Sequence, residues 1–403
     1  MTLPLSGLRV LEFTHAIMGP ACGLVLADLG AEVIRVEKTP DGDDTRRLKG
    51  FGTGYYPFFN RNKKSVVVDL KSDGGREIVE RLVLSADALI ENFAPGTMDR
   101  LGLGYAATRA VNPRLIYCAL KGFLSGPYEA RVALDEVAQM MSGLAYMTGP
   151  VGQPLRAGAS VIDIMGATYG AMAVILALRE RDTTGQGQLV QSGLFETAAF
   201  VMGHHMAYAA LSSEPIPPMP ARVSAWSIYR VFACAGGEQI FVGVTSDKHW
   251  RAFCGVFGQE DLGADPRLSS NNDRIRERAW LLPRIEMMFA TMTRAEALEA
   301  CGRAGIPFAP VARPEDLFDD PHLNAGGYLV ETEVAEGVRA KLPRLPMAMA
   351  GATPGLRSDP PGIGADTRDV LRSLGYGVEA IDALAASGAI RVTGDQASPE
   401  RGE

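Results

Sequence analysis

Residues 8–37, LRVLEFTHAIMGPACGLVLADLGAEVIRVE, decide the fold class. Leu8 to Phe13 reads as a buried strand, Gly19 to Leu29 as a glycine-containing helix, and Glu32 to Glu37 as a second strand. A strand–helix–strand unit favours parallel pairing through a right-handed crossover. The same alternation continues. Ser65 to Asp69 (SVVVD) is a strand, Gly74 to Ser85 a helix, and Ala88 to Asn92 (ALIEN) a strand; a helix at Tyr105 to Val111 precedes a strand at Leu115 to Leu120. The fold class is therefore α/β with a doubly wound sheet, and ligands belong at the carboxyl ends of its strands. A dinucleotide is the weaker ligand reading. The first strand–helix turn, FTHAIMGPACG, carries glycines only at 19 and 23, and Pro20 removes a backbone donor where GxGxxG would supply them.

Further along, Val161 to Glu180 is a long apolar helix, Gln188 to Gln191 a strand, and Leu194 to Leu211 another apolar helix. The proline-rich EPIPPMPAR, Glu214 to Arg222, is the best linker. Beyond it come a hairpin, Tyr229 to Ala233 and Gln239 to Val244, turning at Gly236 and Gly237, and helices at Asp247 to Phe257, Asn272 to Ala290 and Arg294 to Ala304. The expected division is a large domain over 1–213, a linker over 214–225, a smaller α+β domain over 226–327 and a return segment over 328–403. That return segment reads as strands Tyr328 to Thr332 and Val338 to Leu342, a helix Asp366 to Leu374, and frayed residues after about Ile390. At 403 residues, two domains are the natural expectation.

A formal charge of −7 argues against nucleic acid as the main partner. The five cysteines, Cys22, Cys118, Cys234, Cys254 and Cys301, show neither CxxC spacing nor histidine pairs. No metal site is therefore expected, and a reducing compartment fits best. The N-terminus lacks a charged segment followed by an apolar core, and no apolar run reads as a membrane span, so a cytoplasmic protein is expected.

Asp163 is the one acid inside the stretch GASVIDIMGATYG, Gly158 to Gly170. An aspartate ahead of an apolar helix is a good N-cap. The same position favours the ionised carboxylate that a nucleophile needs, and both readings stay open. Gly158, Ala159, Ser160 and Gly166 leave room for a ligand or another chain. ENFAPGTMDRLG, Glu91 to Gly102, leaves a strand end and places Asn92 and Phe93 where α/β sheets bind ligands, with Arg100 nearby. Arg35, Lys38, Lys63, Lys64 and Lys71 lie near neighbouring strands and would form a phosphate-binding rim if they cluster at one edge. His204 and His205 read as core or interface residues; His15, His249 and His322 are scattered; Arg274, Arg276 and Arg278 read as a solvated helix face.

Together these stretches resemble the family III CoA-transferases over about Leu5 to Gly375. The markers include residues 4–46 (beginning PLSGLRVLEF), NRNKKSVVVDLK, ENFAPGTMDRLGLGY, DEVAQMMSGLAYMTG, the Asp163 stretch, TGQGQ, DPRLSSNNDR, GIPFAPV and DTRDVL, in that order. The resemblance implies a Rossmann-like large domain plus a small domain in an interlocked homodimer. It implies coenzyme A as co-substrate, with no permanently bound cofactor. It makes Asp163 the catalytic aspartate and places CoA against Ala16, Ile17, Lys38, Val68, Asp69, Leu70, Lys71, Asn92, Phe93, Ala94, Arg100, Val132 and Asp135. The implied chemistry is covalent: Asp163 attacks an acyl-CoA, and aspartyl anhydride and aspartyl-CoA thioester intermediates pass CoA to an acceptor acid.

The 2-methylacyl-CoA racemases share this fold and carry histidine where this chain has Leu134, so an isomerase is the alternative. Formyl-CoA transferase has lysine at the place of Val132, tyrosine at that of Leu134, and a glycine-run loop where this chain reads ARVSAWSIYRVF. These departures point away from formyl-CoA. Arg222, Ser224 and Arg230 suit a second carboxylate, which favours a small dicarboxylic acid such as succinate, itaconate, mesaconate, malate or oxalate.

Overall fold

The computed structural model describes residues 2–222 and 224–392. Six parallel strands, β1 (Arg9–Phe13), β2 (Glu32–Glu37), β3 (Lys63–Val68), β4 (Ala88–Glu91), β5 (Ile116–Lys121) and β6 (Leu189–Gly193), form the central sheet. Their spatial order is β3-β2-β1-β4-β5-β6, and Ile390–Arg391 adds an antiparallel edge beside β3. This is the doubly wound arrangement in which the strand order reverses between β1 and β4, and a crevice opens there at the carboxyl ends.

Side chains alternate across the strands and fill a core on each face. Val10 and Val33 join one core with helix α1 (Met18–Asp28), while Leu11, Phe13 and Ile34 join the other with helix Asp73–Ser85. The long helix Val161–Thr184 packs against α1, β5 and β6. It holds an 18-residue window of mean hydropathy 1.9, so one run is as long and apolar as a membrane span, contrary to the sequence reading. In the fold its apolar residues Ile162, Ala167, Ala171 and Val174 are core. Gly166 and Gly170 permit the close approach. A Cβ on Gly166 would lie 2.6 Å from Met18 Cε, and one on Gly170 2.5 Å from Leu120 Cδ2.

Two expected helices are broken. Leu194 to Leu211 divides at Met202 into Leu194–Val201 and Gly203–Leu211. Asn272 to Ala290 divides at Glu277, after a first segment capped by the reciprocal Ser270–Asp273 box. Helix Val378–Ala386 was not read from the sequence, and the edge strand Ile390–Arg391 stands where fraying was expected to begin; Thr393 onward, part of the segment read as frayed, lies outside the described residues.

By contacts, Met1–Pro220 with Pro321–Glu403 form one compact unit, and Ala221–Asp320 a second. The second has a three-stranded antiparallel sheet, Ile228–Ala233, Gln239–Val244 and Phe308–Pro310, over a core that includes Phe232, Phe253 and Phe289. Arg274 there is fully buried rather than solvated. It donates to Leu268 O at 2.8 Å and pairs with Asp247 at 2.5 Å.

Candidate active site

Phe13 and Glu91 pair at the ends of β1 and β4. Just beyond them the chain is stitched by two reciprocal bonds: His15 N donates to Asn92 Oδ1 at 2.9 Å, and Asn92 Nδ2 donates to His15 O at 3.0 Å. Ala16 then adopts φ +59°, a left-handed conformation that a non-glycine residue holds at a cost, and Ile17 opens α1. A Cβ on Gly19 would sit 2.4 Å from Thr14 Cβ and 2.9 Å from Asn92 Cγ. That glycine therefore serves the tightness of the turn.

The N-terminus of the long helix faces this turn. Its cap is neither Ser160 nor Asp163. Asp135, at the start of helix Asp135–Ser142, accepts from Ile162 N at 2.9 Å and from Asp163 N at 3.0 Å through Oδ2. Gln139 Nε2 holds the other oxygen, and Gln139 Oε1 accepts from Ala157 N at 2.9 Å. Arg156 pairs with Glu136 and stands 3.9 Å from Asp135. With capping done from another helix, the Asp163 carboxylate has no hydrogen-bond or ion-pair partner among the described residues. Burial pushes its pKa up to about 7, helped by the negative charges of Asp135 and Glu136 and opposed by Arg156.

Asp163 opens into a cavity of about 220 Å³ lined also by His15, Ala16, Ile17, Tyr55, Asn92, Lys121 and Leu134. A second cavity, of about 440 Å³, is lined by Thr14, His15, Ala16, Lys38, Asp44, Thr45 and Phe93. His15 and Ala16 are the wall between the two. The His15 ring stacks on Phe93 at 5.8 Å and 14°. Burial lowers the His15 pKa, with Arg35 adding to burial and Asp43 and Asp44 opposing it, which favours the neutral imidazole at neutral pH.

A model described as "CoA-transferase family III" matches residues 5–367. The chain belongs to this family. This CoA-transferase is 33% identical to the succinate–glutarate CoA-transferase of Agrobacterium fabrum, with 92% of this chain and 96% of that protein covered. It is 34% identical to the acetyl-CoA:oxalate CoA-transferase of Acetobacter aceti, over 82% of this chain and 86% of that one. Among solved structures, a CAIB/BAIF family protein from Brucella suis superposes with a TM-score of 0.83 at 32% identity, covering 93% of this chain and 100% of that one.

In this CoA-transferase the sequence-derived residues fall into groups. Ala16, Ile17, Asn92, Asp135 and Asp163 line the first cavity; Ala16, Lys38 and Phe93 line the second. Val68 is buried in the core and pairs with Ile390, and Leu70 packs on that same core. Asp69 accepts from Lys71 N at 3.0 Å, Arg100 donates to Thr97 at 2.8 Å, and Val132 is exposed; together with Ala94 these line neither cavity.

The expected cationic rim does not form as a set. Arg35 and Lys63 are buried in an ionic network beneath the turn, Lys64 pairs with Glu32 at 2.6 Å, and exposed Lys38 pairs with Asp44 at 2.7 Å. Gly166 is filled by Met18 rather than open to a ligand, whereas nothing stands within 4 Å of the Gly158 position. Arg230 pairs with Glu286 at 2.9 Å, and Ser224 Oγ accepts from Trp226 N at 3.2 Å.

Sequence reading missed His15 and Lys121 as cavity residues. His15 stood two residues past a predicted strand end, a position that could have flagged it. Lys121 sat one residue beyond the expected end of its strand.

Proposed function

We propose that this enzyme transfers CoA from an acyl-CoA to a small dicarboxylic acid, with Asp163 as covalent nucleophile. One observation carries the reading: Asp135 caps the long helix, so the Asp163 carboxylate faces the cavity with no partner among the described residues. A carboxylate with a pKa near 7 is a stronger nucleophile than an ordinary aspartate and is still ionised above neutral pH. Asp163 attacks the thioester carbonyl, and CoA leaves as the thiolate. The developing oxyanion lies beside the first turn of α1, whose amides favour negative charge. The thiolate then attacks the aspartyl carbonyl of the anhydride, releasing the donor acid and leaving an aspartyl-CoA thioester. The acceptor carboxylate reverses these steps. Burial of Asp163 limits the water that would hydrolyse the intermediates.

Ala16, Ile17, Asn92 and Phe93 support a CoA path from the first cavity into the second, where Lys38 meets a phosphate. Val68 to Lys71, Ala94, Arg100 and Val132 rest on the family resemblance alone. The dicarboxylate follows from relatives whose names specify succinate, glutarate, oxalate, citramalate or malate. We infer two further points: a homodimer, supported by exposed Phe200, Met206, Tyr208 and Leu211, and a cytoplasmic setting, supported by five buried free thiols.

Borohydride quenching during turnover, followed by peptide mass analysis, should find Asp163 reduced to the alcohol. Asp163→Ala should lose at least about 10⁴-fold in exchange rate. Full activity in that variant would sink the mechanism.

His15 supports a second reading. A neutral imidazole in the Asp163 cavity can accept an α-proton even though Leu134 stands where a racemase has histidine. Deuterium uptake at the acyl α-carbon in D₂O separates the two, since CoA exchange needs none.

A further inference from the structure

The Asp163 cavity is ringed by acids: Asp135 and Glu136 line it together with Asp163 itself. Among its described lining residues Lys121 is the one lysine or arginine. Lys121 ends β5, one strand over from β4, and its ammonium is tied to two groups at the β4 end. It pairs with the buried Glu91 and donates to Phe93 O at 3.2 Å. Glu91 is fixed in turn by Phe93 N at 3.0 Å. An ammonium has three donors. Two are spent on this anchor, and the third remains on a side chain that borders the cavity.

We infer that Lys121 is the specificity residue for the far carboxylate of the acid bound opposite Asp163. The inference rests on the transferase reading and deepens it. It replaces the arginines expected from sequence with a cationic residue that lines the cavity of the nucleophile. A dicarboxylic acid presents one carboxylate to the aspartyl-CoA thioester and the other to Lys121 Nζ. The Glu91 and Phe93 contacts keep the ammonium in place before substrate arrives, so little side-chain freedom is lost on binding. A monocarboxylic acid of equal length leaves Lys121 unused and gains nothing from it. The neighbouring glycine fits this role: a Cβ on Gly122 would lie 2.6 Å from Ala133 Cβ, so the segment of Ala133 and Leu134 closes directly over the lysine end of the cavity.

The test compares glutarate with valerate as acceptors, with succinyl-CoA as donor. In a ping-pong exchange kcat/KM for the acceptor does not depend on the donor. Wild type should prefer glutarate. In Lys121→Met, kcat/KM for glutarate should fall about 10- to 100-fold more than that for valerate, the range for a lost hydrogen bond to a charged group. Lys121→Arg should recover part of the preference. Because Lys121→Met also strands Glu91, the double variant Lys121→Met/Glu91→Gln is measured beside it. It should remain unselective even where its thermal stability is restored. Equal losses on both acids, or a double variant that regains the glutarate preference, would overturn the role of Lys121. Transfer by wild type to neither acid would instead overturn the transferase reading, and this inference with it.

Discussion

Two acids near the same turn, one fully buried and one half-buried, live under opposite electrostatics. Glu12, one residue before the end of β1, is fully buried among cations. Arg35 pairs with it, Lys63 Nζ lies 2.8 Å from its Oε2, and Thr14 Oγ1 donates to it at 2.8 Å. Asp43 completes the network on the far side of Arg35. Burial works against the Arg35 charge, yet Glu12 and Asp43 more than offset this and raise its pKa, while burial draws Lys63 down to about 8. Asp163 is also withdrawn from water, but the charges nearest it are mainly carboxylates. One acid is inert because its oxygens are held by neighbouring cations and a hydroxyl. The other is ionised at a cost and can recover that cost by forming a bond to carbon. Burial alone does not mark a reactive group; burial without a partner does.

Breaking the paired side should have the largest effect on folding. Arg35→Met leaves Glu12 and Asp43 buried without their shared cation, and should cost about 3–5 kcal/mol in denaturant unfolding. A loss below about 1 kcal/mol would show that Lys63 alone balances Glu12.

Relieving the unpaired side should do the reverse. The folded-state pKa of Asp163, about 7, lies above its unfolded value of 3.8. The folded state therefore holds that proton more tightly, and stability is lost as pH rises from the lower value through the upper. Asp163→Asn removes the loss. The variant should match wild type near pH 4 and exceed it by about 4 kcal/mol above pH 8, read from thermal unfolding at both pH values. A difference independent of pH would place the cost elsewhere.

The smallest effect tunes the comparison. Since the nucleophile must be ionised, kcat/KM for the acyl-CoA should fall on the acid side with a midpoint of about 7. Asp135→Asn keeps an oxygen for the helix amides while removing one like charge, so that midpoint should move down by about one pH unit. A move upward would mean that Asp135 acts on Asp163 mainly through geometry.

The sheet was legible because its strands are short apolar runs between turn residues, and local pattern is what such runs carry. SVVVD and ALIEN needed no partner to be recognised. The Asp163 site was legible only in part. A helix starting near Val161 with an acid in its first turn suggests self-capping, and nothing local says that an aspartate 28 residues upstream takes that duty. Arg35 and Lys63 looked like surface cations because lysine and arginine usually are, and only the register of β1, β2 and β3 places them under Glu12. The break at Met202 was hidden because both halves of that segment are predominantly apolar.

The glycines at 166 and 170 carry one more consequence. With Met18 and Leu120 lodged where their side chains would be, the long helix lies close against α1 on one side and against β5 on the other. A bulkier residue at either position would have to displace the end of Met18 or of Leu120 and would add no room to the chamber. A change in which acids this enzyme accepts is better sought in exposed Val132 and Leu134 and in the side chains at the strand ends. Directed variation should therefore spare the helices and begin there.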